Sequence, residues 1–184
     1  MSKIKGWYKS NFLPHCDCAE VYQFITFRLY DSVPADVIQK WKDELRIIDN
    51  TEADSKEAIE LQMKILKYED NGYGECFLKD KKIAQVVADA LFYFDGERYD
   101  LYEWCIMPNH VHVLIKPRKN NSLPDIIHSW KSFTANKANK ILQRTGKFWM
   151  RDYFDRYIRN DNHYQAVVNY IRNNAPLKSS HLGN

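Results

Sequence analysis

Two histidines one residue apart, His110 and His112, follow the turn pair Pro108-Asn109 in a run of apolar and aromatic residues from Trp104 to Pro117. In a strand, alternate side chains share a face, so both imidazoles point one way while Val111, Val113 and Ile115 point the other. The turn sets the pair at the first residues of the strand, where a ligand can approach. An isolated pair with this spacing is common on solvated strand faces. Two neutral imidazoles on one face are also half of a divalent-metal site, with coordination positions left over for a substrate. A third ligand and a nucleophile must then come from elsewhere. Tyr170 and Asn174 are candidates, since residues four apart lie on one face of a helix. A phenol becomes a nucleophile once its anion is favoured, and an amide oxygen can complete a cation site with two imidazoles.

The elements that must position these residues can be read from periodicity. Glu20 to Tyr30 is dense in β-branched and aromatic residues and reads as a strand. A helix capped by Ser32 follows, with Trp41, Leu45 and Ile48 at helical spacing, then a polar helical stretch from Ser55 to Tyr68 that ends in the turn residues Asp70 to Gly74. Lys81 to Phe94 is an amphipathic helix, and Arg98 to Met107 with His110 to Lys116 forms a hairpin. Ser122-Leu123-Pro124 opens a helix running to about Leu142. Tyr153 to Ile158 reads as a short strand, and a last helix from about Asp161 to Asn174 stops before Pro176. The order is βαββαβ, an α+β ferredoxin-like antiparallel sheet with helices on one face, plus a C-terminal helix that carries Tyr170. We expect residues 1–184 to form a single domain in which 31–80 is a helical insertion.

At 184 residues, with four cysteines in no CxxC framework, the chain reads as one with reduced thiols and no structural zinc, and the His15-Cys16-Asp17-Cys18 cluster reads as fortuitous. No apolar run is long enough to span a bilayer, and Met1 to Lys5 lacks a signal-like apolar region, so a cytoplasmic protein that does not engage membranes is expected. The net charge of +3 hides an asymmetry. Lys116 to Arg159 holds eleven Lys and Arg against three Asp, interleaved with seven Trp, Phe and Tyr residues. Cations for phosphates and flat rings for bases are what single-stranded nucleic acid requires, although some rings must belong to the core. Lys116, Arg118, Lys119, Lys131, Lys147, Arg151, Arg156 and Arg159 are the candidate contacts.

Met107 to Ile115, followed by Phe154 to Asn160 and then Tyr170 to Asn174, resembles the single-tyrosine HUH transposases, in particular the REP-associated tyrosine transposase branch. The resemblance spans the first strand and Lys81 to Lys178. It implies a single-strand DNA endonuclease and strand transferase that acts on single-stranded or hairpin DNA through a covalent 5′-phosphotyrosine. His110 and His112 would be ligands of Mg²⁺ or Mn²⁺, Tyr170 the nucleophile, and Asn174 would take the place of the family's polar third ligand. Tyr153, Tyr157 and Tyr164 are rival nucleophiles without a matching Asn. The sequence departs from the family in the helical stretch between Asp31 and Glu69, in Asn174-Ala175-Pro176 where Asn-Pro is usual, and in ending soon after Leu177. A descendant that binds structured single strands without cutting them is the alternative, and a small-molecule metal hydrolase would leave the basic aromatic segment unexplained. Whether the chain acts as a homodimer, with Tyr170 serving its own site or a partner's, is open at this level.

Overall fold

The computed structural model describes residues 6–10, 13–48 and 55–174. Four strands, β3 (Gln23–Arg28), β4 (Tyr99–Ile106), β5 (His110–Pro117) and β6 (Phe154–Tyr157), make an antiparallel sheet in the order β4-β5-β3-β6. Relative to the βαββαβ core this is the 4-1-3-2 order expected of a ferredoxin-like sheet, so the α+β reading holds. Two further strands, β1 (Gly6–Ser10) and β2 (Leu13–Asp17), pair as a hairpin. Helices α1 (Ala35–Glu44) and α2 (Lys56–Asp70) follow β3, α3 (Lys81–Tyr93) precedes β4, α4 (Leu123–Ile141) follows β5, and α5 (Asp161–Asn173) follows β6.

Alternation along the strands sorts two cores. On one face Ile25 and Phe27 of β3 and Val111, Val113 and Ile115 of β5 are buried with Ile83, Val87 and Leu91 of α3 and Ile126, Ile127 and Trp130 of α4. The polar atoms inside this core are paired in series: the Trp130 indole N–H donates to the Tyr99 hydroxyl at 2.8 Å, which donates to the Leu91 carbonyl at 2.7 Å. On the other face Phe24, Cys105 and Leu114 pack with Ile158, Val167, Val168 and Ile171, which lays α5 across the sheet. With both faces covered, every residue of β3 is buried.

Local chemistry sets the ends of the elements. Ser55 caps α2 by accepting from the Ala58 N–H at 3.2 Å, and Asn160 caps α5 by accepting from the His163 N–H at 2.9 Å. α4 has no such side-chain bond from Ser122. Its Leu123 N–H is satisfied instead by Asp17 Oδ1 of β2 at 2.8 Å.

Several expectations are corrected. The residues before Glu20, for which periodicity predicts no element, include a hairpin tied to β6 because His15 Nδ1 and the Cys16 N–H both reach the Asp155 carboxylate. Cys16 and Cys18 are joined in a disulfide rather than held as free thiols, while Cys76 and Cys105 are free and buried. Ser32 does not cap α1, which starts at Ala35; its hydroxyl donates to the Leu29 carbonyl and accepts from Arg28. α2 runs on through Asp70, because the left-handed glycine that ends it is Gly72. The expected stop at Pro176, with the rest of the tail beyond Asn174, lies outside the described residues. Among the described residues no helix is long and apolar enough to cross a membrane.

Candidate metal and nucleophile site

β5 begins at His110, and its register places His110 opposite Arg28 and His112 opposite Thr26 on β3. Both imidazoles are completely buried on the face that α5 covers. Each ring is oriented by its Nδ1. His110 Nδ1 meets Asn109 Oδ1 at 2.7 Å, and the Asn109 amide is fixed by donating through Nδ2 to the Tyr73 carbonyl at 2.9 Å. His112 Nδ1 meets Thr26 Oγ1 at 2.7 Å. With Asn109 offering its oxygen, the His110 proton belongs on Nδ1, which leaves Nε2 as a lone pair. The two Nε2 atoms stand 3.0 Å apart. Burial pushes the His110 pKa down to about 3, and burial together with the His110 neighbour holds His112 well below the usual imidazole value, so both rings are neutral at pH 7.

The third member of the cluster is Asp70, the last residue of α2. Its Oδ1 lies 3.5 Å from His110 Nε2, and one ligand atom from each of Asp70, His110 and His112 falls within 4.8 Å of the others. Burial raises the Asp70 pKa, although its side chain is 38% exposed. Two imidazole nitrogens aimed at one point beside a carboxylate fit a divalent cation, with the orienting partners behind the ligands that such sites require. Sequence reasoning took Asp70 for a turn residue. Nothing in the pattern of α2 marks it, and forty residues separate it from His110.

Tyr170 lies on the face of α5 turned to the sheet. Its ring centroid is 5.2 Å from that of His112 and 5.9 Å from that of Phe24. The phenol pKa is raised, first by burial and next by the Asp70 charge, while a hydrogen bond from the Asn174 side chain opposes the rise. The Asn174 side chain is engaged on the phenol. Arg172 fixes the rotation of α5 through a two-pronged contact with Glu103 of β4, its Nε at 2.8 Å from Oε1. Tyr164 packs on the same apolar cluster, with its ring against Tyr22 at 5.1 Å by centroids, and Tyr153 packs at 4.5 Å on His15.

The basic residues are scattered. Lys147, Arg151, Arg156 and Arg159 are exposed on or near β6, Lys147 lying over the Tyr30 ring and Arg159 over Tyr157. Lys116 reaches the Tyr22 ring, and Lys119 is exposed, whereas Arg118 is paired with Asp100 at 2.5 Å. Lys131 is turned to the protein, donating to the Arg151 and Asp152 carbonyls at 2.9 and 3.1 Å. Of the interleaved rings, Trp130, Phe148 and Trp149 belong to the core.

A histidine pair on an antiparallel sheet, with a tyrosine helix laid over it, is the layout of an HUH-type DNA-processing enzyme. The chain belongs to the IS200-like transposase family, whose sequence model, described as "Transposase IS200 like", matches residues 78–174. It is thus a DNA transposase. Among solved structures, the REP-associated tyrosine transposase bound to a REP hairpin is similar at 14% identity and a TM-score of 0.48, over 95% of this chain and 72% of that one. A provisionally named transposase of Deinococcus radiodurans R1 is similar at 15% identity and a TM-score of 0.35, over 86% and 93%. No curated protein matches the chain.

Proposed function

We propose that this transposase nicks and rejoins single-stranded, hairpin-flanked DNA through Tyr170, in the manner of the REP-associated branch its motifs resemble, and that the whole described chain serves that one site. The observation that carries the reading is the convergence of the His110 and His112 Nε2 atoms with the Asp70 carboxylate, beside the Tyr170 ring at 5.2 Å from His112.

His110, His112 and Asp70 would hold the cation, Mg²⁺ or Mn²⁺. When bound, it supplies Lewis acidity at a non-bridging oxygen of the scissile phosphate. The Tyr170 oxygen gives up its proton as it attacks phosphorus, an O–P bond to tyrosine forms, and the P–O3′ bond breaks, the leaving 3′ oxygen taking up a proton to become a 3′-hydroxyl. The linkage keeps its phosphodiester character, so a 3′-hydroxyl can reverse the step on another strand. Asn174 favours the ionised phenol by donating to it, and Arg172 with Glu103 holds the helix that presents it. Lys147, Arg151, Arg156 and Arg159 are exposed cations open to the DNA backbone.

The test is incubation of the protein and its Tyr170→Phe variant with a hairpin-flanked single strand and Mn²⁺. We expect nicking by the native chain and salt-sensitive binding without nicking by the variant. Equal nicking by both would refute the assignment.

A further inference from the structure

On the sheet face beside the histidines, α1 and α2 do not close completely onto β3 and β6. A cavity of about 240 Å³ remains, walled by Ile38, Leu61, Ile65 and Leu66 and floored by Thr26 and Phe154. Its position ties it to the site described above: Thr26 also orients His112, and Glu69, another lining residue, immediately precedes Asp70. The cavity is small beside the roughly 300–1,000 Å³ of sites for drug-sized ligands, so its natural occupant is a single flat ring system.

The polar end is what narrows the ligand. Arg28 and Glu69 both line the cavity and are both buried, Arg28 Nε lying 3.1 Å from Glu69 Oε1 and Arg28 Nη1 donating to Ser32 Oγ at 3.2 Å. Glu69 is only 1% exposed, yet its second oxygen, Oε2, has no hydrogen-bond partner among the described residues. A buried polar oxygen left unpaired is costly, and it asks for a hydrogen-bonding partner from a ligand. Apolar walls, the two aromatic rings of Tyr153 and Phe154, and a buried guanidinium beside a buried carboxyl are the features by which proteins hold an unstacked base, with its faces against side chains and its edge hydrogen-bonded.

Resting on the nicking function proposed above, we propose that this cavity takes one unpaired nucleobase close to the scissile phosphate, and that Glu69 and Arg28 read its Watson–Crick edge. The edge of a base suits the pair, since it sets a polar atom against the unpaired Glu69 Oε2 while an adjacent ring or carbonyl acceptor can face Arg28. The device would give the transposase a preference at one unpaired position through a segment that lies outside the family match, which begins at residue 78.

Scanning a hairpin-flanked single strand with one abasic site at a time, and measuring binding to the native chain, tests this. We expect one position near the nick to weaken binding by about 10-fold or more, the scale of a lost base stack, with smaller effects elsewhere. The scan is repeated with Ile65→Trp, which fills the cavity, and with Glu69→Gln, which exchanges a carboxyl for an amide. Ile65→Trp should make that position indifferent, and Glu69→Gln should change which base is preferred there. Should Ile65→Trp fail to fold, the native scan and Glu69→Gln still decide. A flat scan from a native chain that binds and nicks the intact strand would overturn the base pocket and leave the nicking function standing. A native chain that binds no single strand would overturn both.

Discussion

Replacing Asp70 by Asn removes a charge at nearly constant volume and separates the proposed cation site from the fold. Asp70 Oδ1 lies 3.5 Å from His110 Nε2, and its pKa is raised by burial, so its ionised form is less favourable in the folded chain than in the unfolded one. For a carboxyl with a raised folded pKa, stability is greatest below the unfolded pKa and declines as pH rises through the folded one. Metal-free Asp70→Asn should therefore unfold at pH 7 no earlier than the native chain. With cation present the order reverses. At 100 times the native Kd a ligand stabilises by about 2.7 kcal/mol, whereas a variant weakened 100-fold gains about 0.4 kcal/mol at the same concentration. Even orienting groups behind metal ligands are worth about 10–100-fold in affinity, so 100-fold is a modest figure for a direct ligand. For a chain of this size the difference amounts to about 5–10 °C of Tm rise in the native protein against about 1–2 °C in the variant. Thermal unfolding in chelator and in Mn²⁺, for both proteins, measures it. An equal Mn²⁺-induced rise in Asp70→Asn would refute the assignment of this carboxylate.

Other outcomes follow from the same coordinates. Arg172→Ala should lower the nicking rate while leaving the Mn²⁺-induced Tm rise intact, because Arg172 grips Glu103 and steers α5 without touching the cation cluster; loss of the Tm rise would show a wider role. Lys131 is held down to a pKa of about 7 by burial, from an ordinary 10.5. For a base with a lowered folded pKa the unfolded chain holds the proton that the folded chain lacks, so the native protein should gain stability as pH rises from about 7 to 10.5, and Lys131→Met should flatten that slope in unfolding curves. Tyr99→Phe strands the Trp130 N–H and the Leu91 carbonyl in the core and should cost about 1–3 kcal/mol by denaturant titration, with no change in Mn²⁺ binding.

The histidine strand and the tyrosine helix were legible because each is a local pattern: a period of two after a turn at Asn109, and an offset of four between Tyr170 and Asn174. The sheet order followed from the succession of elements. Asp70 was not legible, since its role depends on where α2 ends in space, and a carboxylate in a polar helix looks like any solvated one. The N-terminal hairpin escaped for a similar reason. What holds it is distant, the Asp155 carboxylate for His15 and Cys16 and the α4 terminus for Asp17, and no period marks such contacts. The basic aromatic segment was legible only as a mixture. Burial assigns Trp130, Phe148 and Trp149 to the core and turns Lys131 to backbone carbonyls, while Arg151, Arg156 and Arg159 remain exposed.

The central claim is that the Tyr170 phenol is the group that captures DNA. Proteolysis of the covalent complex formed with a single-stranded substrate, followed by mass spectrometry of the nucleotide-bearing peptide, addresses it directly. The mass of the nucleotide remnant is expected on Tyr170. Its appearance on Tyr153, Tyr157 or Tyr164, or nicked DNA with no tyrosine adduct, would contradict the account.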